Sequence, residues 1–574
     1  MRRVFVWAVW AGMTAWAAVF VAQFGGRAPF HDDFFDLSLR LSRTPPTWAE
    51  LWVPLNEHRL VLPRLVEWSV AQATGTGLRN QMAVNLALVS ASAFAFIVAA
   101  RGLRGSTAWA DALFPLVLLS VGHYESLLWA VQINFYLPLL VQTLAMVGLA
   151  GAGERPSACR VGGIAVAAAA LVLCGMQGVV TGLALAVWLT YVGYRELRKS
   201  GFTRAAGVAF AGAVVTFGMV AVILASYTPV TSTVPPRFGA ATLRHFAHTL
   251  AIAWGPVAED CRWAVPVRWP SPLGVATGVV VLLTVVRLLP ALRDDRDRPA
   301  AVGLLGIGAS LVAVAAALAY SRLGPLGGLV SNRYVTLMAP LVCWCYLTWV
   351  RFGAGRPVGE LVTGGLFLTA VAVAWPNAVA GYAVARPQHL THANIERDIY
   401  RGMPASFLAE SYTWFLSPNN PPAVIPGLEL LRENGVTPFQ RIQPEPQITD
   451  VPSTWRTDGF PPGTNGWYET TGDVPYLFLT VRKTSPELIT GVRITYSIEG
   501  TASRVSGAVS YRYRGPDGQT GNVTLPVFFD AGRGLEKRLW FGDGVDQFTI
   551  LVNGPVRFSV DRVTGFEAKE APRP

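Results

Sequence analysis

The sequence predicts a multi-pass α-helical membrane protein of about eleven spans with a C-terminal extracytoplasmic β-sandwich or jelly-roll domain. Three observations carry this expectation. Only 14% of the 574 residues are charged and 52% are hydrophobic, with a mean hydropathy of +0.38; soluble chains carry about 25% charge. Apolar runs of near-spanning length recur as far as residue 384. From residue 445 the pattern changes to short alternating segments separated by turn residues.

Taken in order, the apolar runs fall at about 4–24, 81–100, 108–122, 132–151, 160–175, 177–193, 204–226, 272–291, 300–319, 334–350 and 358–384. The tract 160–193 is divided at "CGMQG" (174–178), because two glycines and a glutamine suit a tight re-entry better than a helix interior. With the N-terminus inside, the inner segments are "MRR", "RGLRG", "GERPSACR", "YRELRKSGFTR", "RLLPALRDDRDR" and "RFGAGR". Each carries Arg or Lys, as the positive-inside rule requires. The expected location is therefore a bacterial inner (plasma) membrane, with the N-terminus cytoplasmic and the C-terminal domain extracytoplasmic. "MRR" before an apolar stretch also suits a signal peptide, but the run is too long for a typical h-region and lacks a convincing cleavage site. An uncleaved first span is expected.

The net charge of +11 is spread over short gaps between apolar runs rather than along one basic face, so no nucleic-acid partner is expected. The cysteines (Cys159, Cys174, Cys261, Cys343 and Cys345) lack zinc-like spacing, and none falls in the C-terminal third; a disulfide framework is not expected.

Three parts follow: residues 1–385 in the membrane, 386–444 as a helical and linker segment, and 445–574 as the β-domain. Residues 388–415 read as a polar helical segment, "SPNNPPAVIPG" as a rigid bridge and "LELLRENG" as a short helix. Strands are expected at "YLFLTV", "VRITYSI", "AVSYRYR", "VTLPVFF", "FTILVN" and "VRFSVDRV", with turns at "GPDGQTG" and "FGDG". Trp467, Tyr468, Tyr511, Tyr513 and Trp540 offer faces for sugar rings, as in a carbohydrate-binding module. Alternating aromatics in strands more often pack the core.

Polar groups at membrane depth cost several kcal/mol, so their position points to function. They gather in the outer segments. The first, about 25–80, opens with "HDDFFD" and continues to "NEHR" (Asn56–Arg59). Its latter half reads as interfacial helices, with Leu60, Leu62, Leu65, Val66 and Trp68 on an apolar side and Arg59, Arg64 and Glu67 polar. Further groups are His123, Tyr124, Glu125 and Gln132; then Arg237, Arg244, His245, His248, Glu259, Asp260 and Arg262; then Arg322, Arg333 and Tyr334. Singly, each suits an interfacial anchor or a solvated loop. Together, acids in one loop and arginines in another could divide the work of base and phosphate clamp. No Walker loop and no G-x-G-x-x-G after a strand is present.

A first span followed by a long outer loop that opens with adjacent acids resembles the GT-C superfamily of polyprenyl-phosphate-sugar-dependent glycosyltransferases. "HDDFF" is similar to the acidic-pair-plus-aromatic element of their first loop, and "NEHRLVLPRL", "LLWAVQ" and "SNRY" resemble segments of uncharacterised bacterial members. The resemblance covers about residues 1–385 and is arabinosyl- or mannosyltransferase-like. It implies Asp33 or Asp32 as the catalytic base, with Asp33 slightly preferred. It also implies transfer of a hexose or pentose from a polyprenyl-phosphate donor to a cell-envelope glycan, lipid or protein acceptor, with inversion. Glu57, His58, Arg59, His123, Glu125, Gln132, Arg322, Arg333 and Tyr334 are candidates for binding donor, phosphate or acceptor. Some members use a divalent cation (Mg, Mn or Ca), for which Asp32, Asp33 and Asp36 could supply oxygen ligands, though their spacing does not define a site. Two other functions are alternatives. A flippase or transporter of lipid-linked saccharides would place charges through several spans or show inverted repeats. A surface-glycan polymerase or ligase would share most of the architecture.

Overall fold

The computed structural model describes the chain apart from residues 228–238, 259–271, 322–330, 354, 419, 446, 452, 459–466, 470–475, 484–488, 500–503, 515–519, 554–556 and 570–574. Arg237, Glu259, Asp260, Arg262 and Arg322 therefore lie outside the described residues, as do the side chains of Trp467, Tyr468 and Tyr513. Two compact units are present: residues 1–27 with 35–390, and residues 28–34 with 391–574.

The first unit is helical. It begins with α1 (Arg2–Phe24), then the short α2 (Leu37–Leu41) and α3 (Trp48–Trp52), the hairpin strands β1 (Pro54–Leu55) and β2 (His58–Arg59), and α4 (Val61–Thr74). The bundle continues with α5 (Leu78–Arg104), α6 (Leu113–Leu118), α7 (Tyr124–Leu127), α8 (Ile133–Ala150), α9 (Ala158–Val172), α10 (Met176–Ser200) and α11 (Arg204–Ala225). After these come α12 (Ala240–Ala251), α13 (Pro272–Ala291), α14 (Arg298–Ser321), α15 (Val335–Gly353) and α16 (Pro357–Tyr400).

Among the described residues, nine helical segments are long and apolar enough to cross a membrane, and two shorter apolar ones, Trp109–Leu118 and Ala158–Val172, account for the remaining expected runs. The chain is thus a multi-pass membrane protein, and its described residues hold nine full-length candidate spans where eleven runs were expected. The break expected at "CGMQG" is found: α9 stops at Val172, and α10 restarts after Gly175, whose φ of 99° a residue with a Cβ would rarely adopt. The segment expected as a polar helix, 388–415, is helical but divided between the end of α16, which runs unbroken for 44 residues through Pro376 and Pro387, and a separate helix at Ala405–Leu416. Neighbouring groups in a membrane bundle can satisfy the backbone that proline frees.

Close helix contacts rely on glycine. A Cβ on Gly308 would come within 2.3 Å of the Trp344 ring, and one on Gly303 within 2.5 Å of Leu149. The indole N–H of Trp344 donates to Leu304 O at 2.7 Å, and that of Trp188 to Pro299 O at 2.8 Å. With little hydrophobic drive between helices in lipid, such close approach and hydrogen bonding hold the bundle.

Each end of the bundle has its own chemistry. At one end, Arg104 pairs with Asp111, which also accepts from Tyr346 Oη at 2.8 Å. At the same end Lys199 bridges Glu154 (3.2 Å) and Asp295 (2.7 Å), and Arg351 pairs with Asp297. This basic end contains the segments expected inside. The opposite, loop end holds α2–α4, the hairpin, α7 and the residues leading into α15.

At the loop end, α4 departs from its expected amphipathic reading. Arg64 and Glu67 are buried, at 3% and 1% exposure, whereas Leu65 is 40% exposed. Arg64 Nε donates to Asp36 Oδ1 at 2.9 Å, and Arg40 lies 3.5 Å from Glu67. Opposite charge on α2 offsets the cost of burying α4's charges. That pattern is invisible in a helical wheel of α4 alone.

The second unit combines the end of α16 with α17 (Ala405–Leu416), α18 (Val424–Glu433) and strands β3 (Gln447–Val451), β4 (Ser453–Asp458), β5 (Trp467–Glu469), β6 (Tyr476–Lys483), β7 (Ile489–Glu499), β8 (Arg504–Arg514), β9 (Thr520–Asp530), β10 (Gly532–Asn553) and β11 (Arg557–Lys569). The strands form one antiparallel network ordered β3-β11-β7-β10-β6-β4, with β8 on β10 and β9 on β8. β10 pairs with β7 through its first half and with β6 and β8 through its second. The expected turn "FGDG" is part of this continuous β10, and appears there as a register shift between Trp540 and Val545. Tyr511 is buried and donates to Phe541 O at 3.1 Å, and Trp540 packs on Phe407 of α17 at 5.1 Å. Tyr511 thus packs the interior, while Trp540 is half-buried against α17.

Candidate active site

The tight turn at Asn56-Glu57 joins β1 to β2 with Leu55 opposite His58, and Asn56 takes a positive φ of 51°. This turn sets Glu57 and His58 side by side, with His58 Nε2 3.8 Å from Glu57 Oε1. His58 Nδ1 accepts from the backbone N–H of Met176 at 3.4 Å, and so ties the hairpin to the start of α10. Arg59 donates to Trp52 O and, at 2.9 Å, to Ser226 O, and lies over the Trp52 ring. Its guanidinium braces three loop segments, so a role in binding phosphate would compete with that bracing.

A second cluster joins α7 to the entry of α15. Glu125 Oε2 accepts from Ser331 Oγ at 2.9 Å and from the backbone N–H of Arg333 at 2.7 Å. Asn332 Nδ2 donates to Gly122 O at 3.1 Å, and Thr336 Oγ1 lies 2.8 Å from Ser126 Oγ. The Arg333 guanidinium lies over the rings of Trp129 (5.5 Å) and Tyr334 (5.4 Å). A cation over ring faces gains electrostatic attraction from them. Next to this cluster His123 is buried, and burial pushes its imidazole down to about 4 from 6.5, so it is neutral at physiological pH. Gln132 is buried as well.

Asp32 and Asp33 belong to the second unit. They lie in a 3-10 turn, His31–Phe34, entered through His31 at a φ of 48°. Asp33 is 1% exposed, and its Oδ2 accepts from the Phe30 N–H at 3.0 Å. Asp32 is half-buried. Phe30 packs on Phe415 of α17 at 4.9 Å. Asp36, the third acid of the motif, is engaged by Arg64. Among the described residues no group of three His, Cys, Asp or Glu side chains could hold a metal ion. Of the three suggested ligands, Asp32 and Asp33 belong to the second unit and Asp36 to the first, where Arg64 holds it.

Of the expected site residues, Glu125, Arg333 and Tyr334 come together, with His123 beside them in sequence. Glu57, His58 and Arg59 form a separate hairpin group. Trp129, Ser126, Ser331, Asn332 and Thr336 were not singled out by sequence; their one visible signal is polarity next to residues that were.

No family model matches the chain, and no curated protein matches it. Among solved structures, it is similar to arabinosyltransferase EmbB from Mycobacterium smegmatis at 14% identity and TM-score 0.33, over 98% of this chain and 64% of that one. It is also similar to a mutant of arabinofuranosyltransferase AftD from mycobacteria in two classes. The first is 11% identical with TM-score 0.33, over 100% of this chain and 62% of that one. The second is 12% identical with TM-score 0.29, over 100% and 63%. The chain spans a little under two thirds of the length of each.

Proposed function

We propose that this chain is a membrane glycosyltransferase that moves a hexosyl or pentosyl group from a polyprenyl-phosphate donor to a hydroxyl of a cell-envelope glycan, lipid or protein, with the loop end of the bundle extracytoplasmic. The observation that carries the reading is Arg333, a guanidinium held over two aromatic rings at the loop end of a membrane bundle, with its backbone fixed by Glu125. Arginine there can take the charge that develops on a departing phosphate.

The reaction needs one bond made and one broken. The acceptor oxygen attacks the anomeric carbon and loses its proton to a carboxylate, while the sugar–phosphate C–O bond breaks and its electron pair leaves with the phosphate. A single displacement inverts the anomeric centre. The base is assigned to the first-loop acids on sequence and chemistry, with Asp32 preferred over Asp33 because a base must reach the proton it removes. Asp33, buried and bonded to the Phe30 N–H, shapes the turn.

The test is transfer from a panel of polyprenyl-phosphate sugars by purified full-length protein, with Asp32→Asn and Arg333→Lys alongside. Loss of transfer in Asp32→Asn with folding retained supports the reading. Full activity in both Asp32→Asn and Asp33→Asn overturns it.

A further inference from the structure

Helix α5 carries two amide side chains in an apolar run, Gln81 and Asn85, one turn apart on the same face and buried to 1% and 0% exposure. A buried amide in a spanning helix is costly unless it is hydrogen-bonded, so the partners show what each residue holds. Gln81 Nε2 donates to Glu67 O of α4 at 2.8 Å. Asn85 Nδ2 reaches the turn before α8, where it donates to Trp129 O at 3.3 Å and to Ala130 O at 3.2 Å.

Neither carbonyl depends on Asn85 for a donor. Trp129 O also accepts from the N–H of Gln132 at 3.2 Å, and Ala130 O from that of Ile133. Those local bonds close the 3-10 turn Ala130–Gln132 by themselves. What Asn85 adds is placement: it fixes the turn against α5, and the Trp129 indole with it.

Trp129 is 4% exposed, and the Arg333 guanidinium lies 5.5 Å over its ring. The backbone of Arg333 is set by other groups, Glu125 at its N–H and Ser126 Oγ at its carbonyl (3.3 Å). The second ring under the guanidinium, Tyr334, is its neighbour in the chain. Of the two rings, only Trp129 comes from a distant part of the chain, and Asn85 is a side chain that holds its backbone.

We infer that Asn85 is a positioning residue for Arg333: its amide sets the Trp129 ring under the guanidinium, and so sets where the positive charge meets a departing phosphate. The catalytic consequence rests on the transfer reaction proposed above. The link from Asn85 through Trp129 to Arg333 does not, and it can be read without turnover.

The experiment uses full-length protein labelled with fluorotryptophan in lipid nanodiscs, with the Trp129 fluorine resonance assigned by Trp129→Phe. Arg333→Met should shift that resonance by removing the cation, and Asn85→Leu should shift it by freeing the ring. Gln81→Leu removes an amide from the same helix face without touching the turn, and should leave it in place. Asn85→Ser, too short to reach the turn, serves the same comparison where Asn85→Leu does not fold; failure of both to fold would make Asn85 a folding requirement and overturn the inference. In the transfer assay Asn85→Leu should lower kcat by about threefold to tenfold with the KM for donor unchanged, as loss of an ordinary hydrogen bond felt in the transition state would. It should lower kcat no further in an Arg333→Met background, because the two residues act as one unit. A Trp129 resonance left in place by Asn85→Leu, an equal shift from Gln81→Leu, or additive losses in kcat would each overturn the inference. The expected shifts in a protein that transfers no sugar would support the placement and count against the proposed reaction.

Discussion

The two ends of the helical bundle both carry ion pairs but differ in what surrounds them. At the basic end charges are spent on one another: Arg104 on Asp111, Lys199 on Glu154 and Asp295, Arg351 on Asp297. At the loop end Glu125 accepts from a hydroxyl and a backbone N–H, Arg333 lies against two ring faces, and His123 is held neutral. Ion pairs fasten the loop end as well, Arg64 with Asp36 and Arg40 with Glu67 between α2 and α4. What the loop end adds is a carboxylate held by a hydroxyl and a backbone N–H and a cation over ring faces. That addition, rather than an absence of ion pairs, is what sets the loop end apart as the place for function.

Substitutions should separate the two. Asp32→Asn is expected to lower transfer by about 10²–10⁴-fold, the usual contribution of a general base, with the thermal midpoint unchanged. Asp111→Ala should do the reverse. It strands Arg104 and Tyr346 and removes about 3–5 kcal/mol of stability, read by thermal unfolding in detergent, while folded protein keeps its specific activity. A loss of activity without loss of stability in Asp111→Ala would break the comparison.

Acid should act through His123. Its folded value of about 4 lies below the unfolded 6.5, so between these values the unfolded chain binds a proton that the folded chain refuses. Stability should therefore fall as pH drops from 6.5 to about 4 and level off below. His123→Gln should flatten that slope in a pH series of unfolding midpoints.

Smaller effects sharpen the contrast. Arg333→Lys keeps the charge but loses the guanidinium that lies over Trp129 and Tyr334, and should cost roughly tenfold in kcat/KM. Lys199→Ala removes a solvent-exposed bridge and should leave the unfolding midpoint nearly unchanged, with any difference shrinking at high salt.

Much of the bundle could be read from residue patterns, because apolar runs and the glycine break at 174–178 are local signals. The full length of α16 could not. Pro376 and Pro387 read as stops in water but are tolerated where neighbouring helices satisfy the backbone. Nor could the burial of Arg64 and Glu67, whose partners Asp36 and Arg40 lie 28 and 27 positions earlier in the chain. The site was legible in part. Glu125, Arg333 and Tyr334 stood out as polar or aromatic groups at loop positions, whereas Ser126, Ser331 and Thr336 are ordinary residues that matter through contacts some 200 positions apart.

The most direct test of the account is turnover by the purified full-length protein given polyprenyl-phosphate sugars and a hydroxyl acceptor, with products resolved by mass and anomeric configuration. The account predicts an inverted glycoside and free polyprenyl phosphate in equal amounts, both lost in Asp32→Asn. Folded protein that yields no glycoside from any hexosyl or pentosyl donor, or a product of retained configuration, would contradict it.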